Sequence, residues 1–132
     1  MRTRTKARQR AVEALFEAEQ RSVSVAEVFE RNPSVHEYAI SIASEAFANL
    51  SAIDELINTY SIDWPVERMP AVDRAILRIA VAELMFEKNI DTNIIIAEAL
   101  EVAKSLSTDD SVKFINGILA NVGSVRSTLS TW

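Results

Sequence analysis

The sequence has no cysteine among its 132 residues, so neither a disulfide nor a thiolate metal site is open to it. Two glycines and three prolines are too few turn-formers for a chain of many short strands. The only histidine is His36, so no His-x-x-x-His or Glu-x-x-His metal pattern exists. A Gly-rich phosphate loop and a nucleophile elbow are also missing. No apolar run approaches the roughly 18 residues of a membrane span. The basic start is not followed by the apolar core of a signal peptide. The expectation is a cytoplasmic, soluble protein that is not an enzyme and holds no cofactor or metal.

What is there favours helices. The chain is 48% hydrophobic and 25% charged, enough for one real core in a domain of this size. Ala, Leu, Ile and Glu are abundant, all good helix formers except β-branched Ile. The net charge of −5 hides an asymmetry. Five of the 14 basic residues (Arg2, Arg4, Lys6, Arg8 and Arg10) lie in the first ten positions, which contain none of the 19 acids. An acidic body repels nucleic acid in general, while a focused basic end attracts a phosphate backbone locally.

Helical spacing organises the rest. Ala7, Ala11, Ala14, Leu15 and Ala18 recur on one face of a helix over residues 2–20. Arg2, Lys6 and Arg10 stack on the opposite face. Arg4 and Arg8 project on the side of Leu15. Either the helix overhangs the core at its start, or these two arginines meet a partner. A short helix over Val25–Arg31 ends at Asn32-Pro33. Ser34 then caps one long helix over about 35–60, with apolar residues from Val35 to Tyr60 in steps of three and four. Trp64-Pro65 through Met69-Pro70 is a turn inside one domain. Residues 71–87 are apolar around most of the circumference and form the buried centre. Asp73, Arg74, Arg78 and Glu83 read by default as an exposed stripe with local ion pairs. Glu98 and Glu101 read as exposed helix acids or caps to neighbouring loops. Gly123 closes the last helix, and residues 124–132 form a loose tail beyond a single domain of residues 1–123.

The stretch Asn93–Leu119 carries more polar and aromatic load than a core helix needs. Val112, Ile115, Leu119 and Val122 make its last core stripe, which leaves Asp110, Lys113 and Phe114 beside it. Single-stranded RNA is held by cations along its backbone and aromatic faces against its bases. Phe114 is either such a face or part of a broad core stripe.

Three blocks make the chain recognisable. The basic start is followed by Ala11-Val12-Glu13-Ala14-Leu15-Phe16. Val72-Asp73-Arg74-Ala75-Ile76-Leu77-Arg78-Ile79-Ala80 is followed by Glu83-Leu84. Ala97-Glu98-Ala99 and Ala103-Lys104-Ser105 precede Asp110-Ser111-Val112-Lys113-Phe114-Ile115-Asn116-Gly117-Ile118-Leu119. With these blocks the chain resembles the bacterial transcription antitermination factor NusB family along nearly its whole length. The resemblance implies a compact all-α domain of about seven helices in two packed sub-bundles. It implies a factor that binds boxA-type nascent RNA with a small-subunit ribosomal protein acting as Nus factor E, serving the transcription elongation complex, mainly in ribosomal RNA operons. Its RNA contacts would map to Arg2, Arg4, Lys6, Arg8, Phe16, Asp73, Asp110, Lys113 and Phe114. Phe16 lacks the hydroxyl of the family's tyrosine. Ala97, Glu45 and Asp91 stand where the family often has Asn, Gly and Pro. Asn116-Gly117 becomes a structural feature, a close helix–helix approach at Gly117. A homodimer with masked RNA binding is the competing reading. A third, the front domain of an RNA methyltransferase, is disfavoured because no cofactor-binding domain follows.

Overall fold

The computed structural model describes residues 2–131. Among them lie seven α-helices and no strand: α1 (Thr3–Arg21), α2 (Val25–Arg31), α3 (Glu37–Ala48), α4 (Leu50–Tyr60), α5 (Ala71–Phe86), α6 (Thr92–Leu106) and α7 (Asp109–Ser124). Short 3₁₀ turns cover Val66–Arg68 and Arg126–Thr131. Helices α1–α3 form one group and α4–α7 the other, with α5 in contact with both.

The all-α expectation holds because the apolar periods fall where burial occurs. Helix α1 buries Ala7, Ala11, Ala14, Leu15 and Ala18 on one stripe, and its small side chains let α3, α5 and α6 approach. It ends where Ser22 turns left-handed (φ 55°) and the Val23 N–H donates back to the Ala18 carbonyl. Helix α5 buries nearly every residue from Ala75 to Met85, as its near-continuous apolar circumference predicts.

Five expectations are corrected. The single helix over 35–60 is two, broken at Asn49 (φ −126°, ψ 26°). The Asn49 side chain donates to the Glu45 carbonyl at 2.8 Å, a local bond that competes with helix continuation. The apolar period survives the break, since Ala39, Ile42 and Ala46 are buried on one side of it and Ile53 and Ile57 on the other. Ser34 does not cap: its hydroxyl accepts from the His36 N–H, and the helix starts at Glu37.

The close approach is at Gly123, not Gly117. A Cβ at Gly117 would meet nothing within 4 Å, whereas one at Gly123 would lie 2.8 Å from Thr92 Cγ2. Gly123 therefore does not stop α7, which runs on to Ser124. Nor is the segment after 123 a loose tail. Arg126 donates to the carbonyls of Leu84, Glu87 and Ile90, and Leu129 is buried in the core. An arginine there satisfies carbonyls that the end of α5 leaves open. Residue 132 lies outside the described residues.

Candidate nucleic-acid interface

The basic start of α1 divides into two kinds of residue. Arg2, Arg4 and Lys6 are exposed. Arg8 is not: it is 5% exposed, and its Nε donates to both Glu83 oxygens at 3.2 and 2.9 Å. Its Nη2 is 2.8 Å from Glu83 Oε2. The Tyr38 hydroxyl donates to the same oxygen at 2.7 Å, and the Arg8 guanidinium lies 5.3 Å from the Tyr38 ring centre. Burial pushes the Glu83 carboxyl above its ordinary range, although Arg8 and Tyr38 pull the other way. Burial and the facing carboxylate push the Tyr38 phenol up as well. The partner that Arg8 meets is therefore inside the fold, and Arg8 drops out of the RNA-facing set.

Arg2 and Arg4 have a different environment. Their side chains are 61% and 53% exposed, yet both reach Glu98 Oε2, at 2.7 and 3.7 Å. Thr5 donates its hydroxyl to Glu98 Oε1 at 2.5 Å. Glu98 itself is 1% exposed, against the expectation of a solvated acid. Lys6 lines a groove of about 460 Å³ with Gln9, Arg10, Glu13, Pro33 and Ser105. Helices α1 and α6 pack together, Thr5 bonding Glu98 and Lys6 lining one groove with Ser105. Phe16 follows Gln9 and Glu13 on one α1 stripe (i, i+4, i+7). It is half-buried and packs against the core. On the other flank a groove of about 1010 Å³ runs between Arg4, Val35, Tyr38 and Ile94.

The α6–α7 junction carries the second group of candidate residues. Thr108 caps α7, accepting from the Ser111 N–H at 3.1 Å. Asp109 and Asp110 sit exposed in its first turn, where the helix dipole favours them. Asp73 is 1% exposed and accepts from the Ser107 and Ser111 hydroxyls at 2.6 and 2.7 Å. It pins the junction to the start of α5, and that structural task corrects its placement as an open RNA contact. Phe114 is half-buried with its ring centre 4.7 Å from that of Trp64, the planes tilted by 51°. A cavity of about 330 Å³ brings together Trp64, Asp73, Ser107, Asp110, Ser111 and Phe114. Lys113 is exposed on the next face of α7.

Arg74 and Arg78 also depart from expectation. They join three helices and are largely covered. Glu19 of α1 accepts from both, and Asp54 of α4 accepts from Arg78 at 2.8 and 2.7 Å. Burial alone would raise the Glu19 carboxyl, but the two arginines outweigh it and hold it below its ordinary range. Opposed by desolvation, Asp54 and Glu19 still push the Arg78 guanidinium up.

Sequence patterning does not show that Trp64, Glu83 and Glu98 are the partners of Phe114, Arg8 and Thr5. For Glu98 a signal existed. Ile95, Glu98 and Val102 follow core spacing, and a carboxylate on a core stripe demands a buried partner. For Trp64 no spacing signal exists, because it reaches Phe114 from a non-helical turn. Among the described residues no cluster of three or more His, Cys, Asp and Glu suits a metal ion, and no helix is long and apolar enough to cross a membrane.

Comparison with known proteins places this architecture. The family model described as "NusB family" matches residues 5–124. The transcription antitermination protein NusB of Kineococcus radiotolerans is 43% identical over 135 residues, covering 98% of this chain and 99% of its own. That of Thermobifida fusca is 46% identical over 133 residues, covering 97% and 94%. Among solved structures, T. maritima NusB superposes with a TM-score of 0.81 at 36% identity, covering 94% of this chain and 93% of that one. A structure of antitermination factors NusB and NusE in complex with dsRNA gives 0.82 at 27% identity, covering 95% and 98%. Matched by the family model over residues 5–124 and by relatives over nearly their full length, the chain belongs to the NusB family.

Proposed function

We propose that this chain acts in transcription antitermination by binding boxA-type single-stranded RNA together with a small-subunit ribosomal protein acting as Nus factor E. The complex would serve the transcription elongation complex, mainly in ribosomal RNA operons. One observation carries the reading: exposed cations at the start of α1 and a half-exposed aromatic on α7 are carried by helices that pack together through α6. Arg2, Arg4 and Lys6 stand at the α1 start, and Asp110, Lys113 and Phe114 at the α6–α7 junction. Cations and an aromatic suit a strand that lays its phosphates on the one and turns bases toward the other. Asp110 supplies an acceptor for a base amino group. The structure of NusB and NusE with dsRNA, of the same fold, supports an RNA ligand and a NusE-type partner. The role is that of an adaptor without chemistry of its own.

Fluorescence anisotropy with a labelled boxA-type RNA and a scrambled control, with and without the ribosomal protein, tests this across a salt series. Arg2→Ala with Arg4→Ala should weaken binding and reduce the salt slope by about 0.7 per lost phosphate contact. Phe114→Leu, which keeps an apolar side chain against Trp64, should weaken binding roughly tenfold through lost stacking and leave the slope nearly unchanged. Equal affinity for the two RNAs with the partner present would remove the boxA reading.

A further inference from the structure

We infer that Glu98 is the positioning residue for the arginines at the start of α1, an inference that rests on the RNA-binding reading of that end. The start of α1 has nothing of its own to hold it. Its N-cap, Arg2, makes no side-chain cap bond, and its first turn contains no acid. Basic residues there oppose the helix dipole. The missing anion comes from α6. The Glu98 carboxylate is buried, and three α1 side chains converge on it: Thr5 on one oxygen, Arg2 and Arg4 on the other. Thr5 is itself 3% exposed, so its hydroxyl fixes how the carboxylate is turned.

The arrangement leaves the arginines usable. Each guanidinium has five N–H donors, and Glu98 engages only part of each. Two arginines against one carboxylate leave the group with one net positive charge, facing outward. A phosphate that pulled both arginines off Glu98 would leave a bare carboxylate in the interior, which is costly. RNA therefore binds on top of the trio, and the arginines need no further ordering when it arrives.

This predicts a sign that simple charge counting does not. Removing an acid near a polyanion should strengthen binding by Coulomb's law. Positioning predicts the reverse. With the ribosomal protein present, Glu98→Gln should bind the boxA-type RNA about tenfold more weakly, because two long side chains must now be ordered on binding. The salt slope should stay as in the wild type, since the bound state keeps its phosphate contacts. In a background already carrying Arg2→Ala and Arg4→Ala, Glu98→Gln should have no further effect. A general loss of structure would instead persist in that background.

Thr5→Val supplies a second route if Glu98→Gln folds poorly. It changes no charge, and its lost hydrogen bond should weaken RNA binding roughly fivefold. Backbone ¹⁵N relaxation of the uncomplexed protein gives an RNA-free readout: order at Thr3–Ala7 should fall in both variants. Equal or tighter RNA binding by Glu98→Gln and Thr5→Val overturns the positioning role while wild-type binding still upholds the RNA reading. Absence of wild-type RNA binding overturns both.

Discussion

Replacing Arg8 with alanine separates a binding arginine from a structural one. Arg8 and Glu83 are both almost fully buried, with Nε to carboxylate distances of 3.2 and 2.9 Å. Removing one member of such a pair strands the other charge in the interior and costs about 3–5 kcal/mol. For a domain of this size that lowers the melting temperature by roughly 10–20 °C. Urea and thermal unfolding followed by circular dichroism read the loss directly. The pH dependence adds an internal check. Arg8 is the main opposition to the burial that raises the Glu83 carboxyl, so in Arg8→Ala that carboxyl rises further. A group whose folded pKa exceeds its unfolded value supports folding below the unfolded pKa and loses that support as pH climbs through the folded one. The deficit of Arg8→Ala should therefore be smaller at pH 5 than at pH 8. At temperatures well below its melt, the variant should keep the wild-type salt slope for RNA. The reasoning is refuted if Arg8→Ala unfolds within about 1 kcal/mol of wild type and loses salt slope, since Arg8 would then be touching phosphate.

The two glycines of α7 should respond oppositely to alanine. Gly117→Ala should stabilise by about 0.5–1 kcal/mol, because its Cβ enters open space in a helix. Gly123→Ala should cost about 1–3 kcal/mol through overlap with Thr92 Cγ2, and Thr92→Ser, which keeps the hydroxyl that accepts from Arg126, should restore part of it; denaturant midpoints rank all three. Glu19 should matter in acid: its folded carboxyl is lowered, so its contribution is full above its unfolded pKa and fades as pH falls through the folded value. Glu19→Gln should accordingly be destabilised at neutral pH yet lose less than wild type on acidification below about pH 4.5, as acid unfolding curves would record.

Sequence periodicity carried the helices because burial repeats with the helical turn. Ala11, Leu15 and Ala18, or Ile115, Leu119 and Val122, need no knowledge of what they touch. The break at Asn49 was invisible for the same reason, since the apolar period crosses it unchanged. The charged residues were harder. Arg8 meets Glu83 from 75 positions away, Thr5 meets Glu98 from 93, and Asp73 meets Ser107 from 34. A linear pattern marks each as polar and assigns it to solvent or ligand, and only the packing of α1, α5 and α6 shows that its partner is internal. Exposed Arg2, Lys6, Asp110 and Lys113 were legible because their positions fall off the core stripes.

The family match stops at residue 124, but the fold does not. Arg126 and Leu129 clasp the exit of α5 from beyond that limit. A boundary chosen from sequence kinship would therefore cut through a working joint. A fusion partner or affinity handle belongs past residue 131, where the splice spares this clasp, and shortening to residue 124 should be treated as removing structure instead of trimming excess chain.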